Sequence, residues 1–189
     1  GIGEPLDNFD NVIRFLSLVN CDRGMNIGMR HISLSTCGLT EKFDKLADLN
    51  LQLTLSISLH APDDETRTSI MPANRGRGVD DLIAACRRYY ERTGRRISFE
   101  YAMIDGINDS PEQAKLLAER ASAVSAHVNL IPLNHVEERS FAPTKPENLK
   151  RFIKVLEDRG VNVTVRRKVG GDVDASCGQL RRKAAKEGR

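Results

Sequence analysis

The chain has 189 residues, of which 40% are hydrophobic and 29% are charged, and its formal net charge is +3. This length and composition predict one domain with a sizeable apolar core. No apolar run approaches the roughly 20 residues that a membrane helix needs, so we expect no membrane contact. The cysteines are too few and too dispersed for a secreted disulfide framework, which favours a reduced protein of the cytoplasm.

Helical and strand-like patterns alternate along the chain, with glycine and proline between them. The predicted helices are residues 11–19, 41–49, 80–92, 111–123 and 146–158. The predicted strands are residues 31–36, 51–60, 96–104, 128–131 and 161–166. Strands separated by helices of this length pair in parallel through right-handed crossovers. The predicted fold class is therefore α/β, and a barrel or part of one is favoured over an open sheet.

The two ends of the chain differ from this pattern. Residues 1–5 form a glycine-containing turn of the kind that joins a strand to a helix, and no strand precedes it, so we expect a fragment. Residues 1–168 are predicted to form the barrel, and residues 169–189 a mobile basic tail. The tail carries Cys177 in a turn with Asp172 and Asp174, whose charges raise the pKa of a nearby thiol. Cys177 is therefore either an incidental surface thiol or a reactive one that needs a partner group from elsewhere.

Polar side chains follow several predicted strands, at the edge where parallel α/β proteins bind ligands. They are Glu4, Ser35, Thr36, Ser58, His60 and Asn134. The carboxylate can accept hydrogen bonds from a ligand ammonium, and the hydroxyls and amide can pair with a carboxylate, a ribose or a base edge. Together they predict a pocket for a small zwitterionic or nucleoside ligand. Taken singly, the turn before Glu4 can merely reverse the chain, His60 can cap a strand, and Ser35 can be a satisfied sheet residue.

Other groups with possible chemistry are less specific. His31, His127 and His135 show no metal-ligand spacing, so no metal site is expected among them. Basic residues cluster at 75–77, 87–96, 166–168 and 181–183. Such clusters are either a solvated face or a surface for a polyanion such as RNA.

Six motifs in order carry a resemblance to a known family. They are Gly-Ile-Gly-Glu-Pro, Leu-Ser-Thr-Cys-Gly, Ser-Ile-Ser-Leu-His-Ala-Pro, Met-Pro-Ala-Asn, Asn-Leu-Ile-Pro-Leu-Asn and Asp-Val-Asp-Ala-Ser-Cys-Gly-Gln-Leu. Over essentially its whole length the chain resembles the radical S-adenosylmethionine (SAM) RNA methyltransferases of the RlmN and Cfr family. The resemblance implies a partial (β/α) barrel that binds SAM at its strand ends. It assigns the SAM contacts to Gly3, Glu4, Ser35, Ser58, Leu59, His60 and Asn134, and the methyl-carrying role to Cys177.

The resemblance also implies a reaction. Carbon 2 of adenine is electron-poor and does not attack the SAM methyl group, so the methyl group passes first to the thiolate of Cys177. A [4Fe-4S] cluster then cleaves a second SAM to a radical that activates the S-methyl group for addition to the ring. The implied substrates are 23S rRNA and tRNA, and the implied protein is a cytoplasmic monomer.

This chain departs from the family in its cluster ligands. The family's Cys-x-x-x-Cys-x-x-Cys triad lies upstream of the Gly-x-Gly-Glu-Pro turn, and none of the four cysteines here replaces it. We therefore predict the carboxyl-terminal portion of a methyltransferase, inactive alone, whose full-length parent holds the cluster. Two alternatives stay open: a Cfr-type enzyme that modifies carbon 8, and a non-enzymatic RNA-binding or scaffold fragment.

Overall fold

A computed structural model shows five parallel strands in one sheet and describes residues 3–74, 76–133 and 141–166. The strands are β1 (Ser33–Thr36), β2 (Thr54–Ser58), β3 (Ile97–Met103), β4 (His127–Pro132) and β5 (Val163–Val165). The helices are α1 (Phe9–Asn20), α2 (Phe43–Asp48), α3 (Asp64–Ile70), α4 (Val79–Thr93), α5 (Pro111–Ser122) and α6 (Pro146–Asp158). Short 3₁₀ turns cover Pro5–Asn8, Met29–His31, Thr40–Lys42 and Pro72–Asn74.

The strand order identifies the architecture. The strands lie in the order β1-β2-β3-β4-β5, and every neighbouring pair is parallel. Because each strand lies beside the next, successive right-handed crossovers carry their helices to the same face of the sheet. A doubly wound sheet would instead reverse its strand order at a switch point. The predicted α/β partial barrel is therefore confirmed.

The two faces of the sheet differ in polarity. One face packs under the helices and holds the core, where the rings of Tyr101 and Phe152 lie 5.4 Å apart between centroids. The opposite face carries polar side chains in two rows that the strand register defines. The first row is Ser35, Ser56, Ser98 and His127, and the second is Ser58, Glu100, Asn129 and Thr164. A sheet with one apolar and one polar face leaves the polar face available to a ligand.

Most predicted elements are present, with shifted ends. Helix α6 has the predicted bounds, and α5 begins after Ser110, whose Oγ accepts a hydrogen bond from the Gln113 amide at 3.2 Å. The predicted strand at 51–60 is shorter, because the parallel ladder between β1 and β2 begins only at Thr54. Helix α3 was not predicted, since its seven residues are mostly polar. No helix among the described residues is long and apolar enough to cross a membrane.

Candidate ligand site at the carboxyl ends of the strands

Glu4 joins the first turn of the chain to the end of β1. Its Oε1 accepts a hydrogen bond from the Leu6 amide at 3.1 Å, and its Oε2 accepts one from the Cys37 amide at 2.7 Å. An ionised carboxylate has about four acceptor positions, so acceptor capacity remains for a ligand beyond the two amides and the thiol of Cys37. Gly3 beside it has φ +122°, and no heavy atom of the described residues beyond its chain neighbours lies within 4 Å of the position where a Cβ would be. The turn thus combines a fixed anionic acceptor with an open approach to the backbone.

The thiol of Cys37 lies beside this carboxylate and is kept protonated by its surroundings. Burial, together with the hydrogen bond to Glu4 and the negative charge of Glu4, raises the pKa of the Cys37 thiol to about 11. A thiol with this pKa is a poor nucleophile near neutral pH, because the thiolate is the reactive form. Cys37 therefore serves as a half-buried structural neighbour of Glu4.

Ser35 and Ser58 both lie on the polar face of the sheet. Ser35 is exposed and pairs in register with Ser56, while Ser58 is half-buried at the end of β2. Thr36 differs from the expectation that it belongs with them: it is buried, and its Oγ1 accepts a hydrogen bond from the Gly38 amide at 3.1 Å. The alternation of side chains along a strand explains this, because Thr36 and Ser35 point to opposite faces.

Leu59 and His60 continue the chain past β2. The side chain of Leu59 is fully buried, so any contact that this residue makes with a ligand involves its backbone. His60 has φ +59°, a conformation that is uncommon for any residue other than glycine. The amide of His60 donates to the Glu100 carbonyl at 3.2 Å, and its own carbonyl accepts from Asn108 Nδ2 at 2.7 Å. Strained backbone of this kind persists only where the surroundings hold it, and it concentrates at functional sites.

The imidazole of His60 is held neutral in one tautomer. Its Nδ1 accepts a hydrogen bond from the Ala102 amide at 3.1 Å, which assigns the proton to Nε2. Burial, and to a smaller extent the positive charge of Arg67, lowers the pKa of His60 to about 4. At neutral pH, His60 is therefore an uncharged side chain with an Nε2–H donor.

Three supporting residues were missed at the sequence level. Asn108 is 0% exposed and bonds the His60 carbonyl, while Arg67 is buried under the strand ends. Glu100 stands on the polar face next to Ser58 and accepts hydrogen bonds from Ser98 Oγ at 3.0 Å and Asn129 Nδ2 at 2.7 Å. The alternation of polar and apolar residues in β3 is a signal that could have indicated Glu100. For Arg67 and Asn108, burial depends on contacts with distant strands, which no local pattern reveals.

The structure brings most of the predicted site together. Glu4 bonds the residue after β1, and the ends of β1 and β2 are adjacent, so one sheet edge gathers the predicted residues. These are Gly3, Glu4, Ser35, Ser58, Leu59 and His60. Asn134 and Cys177 lie outside the described residues.

Comparison with known proteins identifies the family. A family model described as "Radical SAM superfamily" matches residues 1–118. The chain is 54% identical over 183 residues to a protein from Desulforamulus reducens named "Probable dual-specificity RNA methyltransferase RlmN", covering 97% of this chain and 52% of the relative. The chain belongs to the radical SAM superfamily.

Further relatives agree with this assignment. A Caldanaerobacter subterraneus protein of the same name is 50% identical over 188 residues, covering 100% of this chain and 55% of the relative. A crystal structure of a radical SAM methyltransferase from Sphaerobacter thermophilus superimposes with a TM-score of 0.90 at 45% identity, covering 95% of this chain and 52% of that one.

A more distant structure shares the fold alone. A domain of pyruvate-formate lyase-activating enzyme from Bacteroides vulgatus matches with a TM-score of 0.67 at 21% identity, covering 88% of this chain and 96% of that domain. The chain spans about half the length of the RlmN relatives it matches.

Membership of the radical SAM superfamily implies SAM and a [4Fe-4S] cluster as cofactors, and the described residues fit these two groups differently. For SAM, the free acceptor positions of Glu4 and the open backbone at Gly3 suit an ammonium group. A cluster needs several cysteine thiolates in one place. Among the described residues, Cys21 is exposed, Cys86 is a buried residue of α4, and no group of three metal-binding side chains is present. The described residues therefore fit the ammonium group of SAM, and no three of them fit a cluster.

Proposed function

We propose that this chain is the SAM-binding and methyl-carrying part of a methyltransferase that modifies carbon 2 of an adenine in 23S rRNA and in tRNA. The sequence assigns residues 1–168 to the partial barrel and residues 169–189 to a basic segment, on which Cys177 carries the methyl group. The cluster is supplied by the rest of a longer, monomeric, cytoplasmic protein, so the chain alone is inactive.

The observation that most strongly supports this proposal is the position of the Glu4 carboxylate at the end of β1. Its two backbone hydrogen bonds fix its position, and its remaining lone pairs accept the methionyl ammonium of SAM. Ser35, Ser58 and the Nε2–H of His60 then offer polar groups to the rest of the ligand, with Leu59 contributing backbone. Asn134, which follows β4 in the sequence, is assigned to the same ligand through its amide. This donor set matches a zwitterion joined to a nucleoside.

The RNA assignment is supported by the names of the relatives, which are dual-specificity RNA methyltransferases. A target adenine must be unpaired or extruded to reach a site inside a barrel, at a cost of a few kcal/mol. The polar face beside Ser58, which carries Glu100 and Asn129, offers hydrogen-bonding groups to such a base. The chemistry that SAM supplies when bound is the methyl group, and the protein's contribution is its placement.

The test uses a protein that contains this chain and the upstream cysteine triad, with the cluster loaded. We expect transfer of label from SAM to carbon 2 of adenine in rRNA and tRNA, measured by mass spectrometry of digested nucleosides. Cys177→Ala abolishes the transfer. Cys21→Ala, which removes an exposed cysteine outside the site, preserves it.

Other outcomes decide between the alternatives. Methylation at carbon 8 would place the protein with the Cfr-type enzymes. RNA binding that is independent of SAM, with no methyl transfer, would support the scaffold alternative. Methylation by the 189-residue chain alone would refute the claim that it is incomplete.

A further inference from the structure

Arg67 is a buried cation at the junction of β1 and β2. It lies in the middle of α3, is 2% exposed, and forms none of the ion pairs among the described residues. Isolated buried charges are costly unless their hydrogen bonds are satisfied. The position is interior to the fold, so it does not depend on which surfaces a longer protein covers. A buried arginine that forms no ion pair within the described part of the chain calls for an explanation.

The guanidinium binds three backbone carbonyls at the ends of β1 and β2, one of which, that of Leu59, also accepts from the Ala61 amide at 2.8 Å. Nε donates to the Leu59 carbonyl at 3.0 Å, and Nη2 donates to the carbonyls of Cys37 at 2.7 Å and Ser58 at 3.2 Å. The ladder between β1 and β2 ends at the pair Thr36–Ile57, immediately before these residues. Buried carbonyls require hydrogen bonds, and one guanidinium supplies them where the two strands separate.

The side chain of Asn74 holds the guanidinium in place. Arg67 Nη1 donates to Asn74 Oδ1, and Asn74 Nδ2 donates to Asp64 Oδ1 at 3.0 Å and Thr68 Oγ1 at 2.9 Å. Asp64 Oδ1 also accepts from the Val79 amide at 2.8 Å. This chain of contacts gives the Met-Pro-Ala-Asn motif a physical role: its asparagine orients Arg67.

The carbonyls that Arg67 holds belong to the site itself. In a planar peptide, the carbonyl of one residue and the amide of the next point in opposite directions. With the carbonyls of Ser58 and Leu59 directed at Arg67, the amides of Leu59 and His60 are directed at the Glu100 carbonyl, which they reach at 3.1 and 3.2 Å. The segment from Ser58 to His60 is therefore clamped between a guanidinium on one side and β3 on the other.

The same contact reaches Glu4. Arg67 fixes the carbonyl of Cys37, and the amide of Cys37 donates to Glu4 Oε2. One side chain thus sets the backbone at both strand ends that carry the predicted SAM contacts. We propose that Arg67 is a positioning residue for SAM, whose planar fork fixes the ends of β1 and β2 so that Glu4, Ser58 and His60 face the ligand together. This inference rests on the proposed function and adds a residue to that site.

The position of Arg67 requires the planar arrangement of guanidinium donors, and not only a positive charge. Arginine presents five donors in a rigid plane, whereas lysine presents one compact ammonium that cannot reach three separate carbonyls in this geometry. Arg67→Lys keeps the charge and loses the fork, and Arg67→Met loses both. We expect each variant to raise the dissociation constant of SAM by about tenfold or more, with the Michaelis constant for SAM rising more than the turnover number falls.

The experiment measures SAM affinity by equilibrium dialysis in the cluster-loaded, full-length protein. Leu156→Ala, a cavity in α6 away from the strand ends, is the matched control: it lowers stability and leaves the SAM dissociation constant unchanged. Hydrogen exchange of the peptide that spans residues 55–61 gives a second readout. It is expected to become faster in the Arg67 variants and to stay as in the wild type in Leu156→Ala.

The outcomes separate this inference from the proposed function. A SAM dissociation constant within twofold of the wild type in Arg67→Lys and Arg67→Met, while Glu4→Gln loses affinity, would overturn the positioning role alone. A wild-type protein that does not bind SAM would overturn the proposed function and the inference with it. If the Arg67 variants do not fold, Asn74→Ala is the test, because it removes the side chain that holds the guanidinium. This variant is expected to weaken SAM binding by a smaller factor. Unchanged SAM affinity in Asn74→Ala would refute the positioning role of Arg67.

Discussion

Acidification is expected to destabilise the protein through His60, whose ordinary pKa of 6.5 falls to about 4 in the folded state. Between these two values the unfolded chain binds a proton that the folded chain does not, so folding stability decreases as the pH falls through this window. The physical reason is local. A proton on Nδ1 would face the Ala102 amide, which now donates to that nitrogen at 3.1 Å, and the charge would be buried near Arg67.

The size of the effect follows from the two pKa values. From pH 7 to pH 5 the contribution of His60 lowers the free energy of unfolding by about 2 kcal/mol, and the full loss at still lower pH is about 3 kcal/mol. The larger part falls above pH 5, where most carboxylates are still ionised. The effect can therefore be separated from general acid denaturation.

The control variant is His60→Asn. Asparagine tolerates the left-handed backbone at φ +59°, and its Oδ1 can replace Nδ1 as the acceptor for the Ala102 amide, but it does not titrate. Urea unfolding of both proteins at pH 7, 6 and 5 gives the comparison. The stability of the wild type should fall by about 2 kcal/mol more than that of the variant. Parallel pH dependence in the two proteins would refute the assignment of a half-buried, neutral His60.

Two further predictions concern residues around the site. Asn108→Ala removes a buried side chain that forms hydrogen bonds with two carbonyls and one amide. It should lower the free energy of unfolding, measured by chemical denaturation, by about 3 kcal/mol. A loss under about 1 kcal/mol would contradict the role of these hydrogen bonds in holding the interior together. Alkylation at pH 8 should modify the exposed Cys21 well before Cys37, because the Cys37 thiol has a pKa of about 11. Peptide mass spectrometry follows both reactions. Equal alkylation rates of the two cysteines would contradict the protonated state of Cys37.

The fold was predictable where local signals and packing agree. Helix α6 begins at a proline and ends before Gly160, and its predicted and observed bounds coincide. The apolar alternation in residues 51–60 indicated β2, although pairing with β1 confines the strand to Thr54–Ser58. One residue in the sequence does indicate the start of helix α3. Asp63, a residue type that favours the position before a helix, accepts a hydrogen bond from the Thr66 amide at 2.8 Å.

Within the site, only the residues that are expected to contact the ligand were predictable from the sequence. Strand-end position and family resemblance both pointed to Glu4, Ser58 and His60, and the structure gathers them at one edge. Arg67 has polar neighbours in sequence and looks like a residue of a solvated helix. Its burial arises because two strands separate above it, and Asn108 is buried by a similar long-range arrangement. The contacts of such supporting residues depend on the assembled fold, so no periodic pattern in the sequence indicates them.

The central claim is that the Glu4 carboxylate receives SAM, and SAM affinity of Glu4→Gln in the cluster-loaded, full-length protein tests it most directly. Glutamine keeps the size of the side chain but loses the charge and one of the two acceptor oxygens that now bind the Leu6 and Cys37 amides. We expect affinity to fall by about tenfold to a hundredfold, the range for a charged hydrogen bond. Glu41→Gln, which alters only a surface ion pair with Arg77, should bind SAM as the wild type does. Equal SAM affinity in the wild type and both variants would contradict the account.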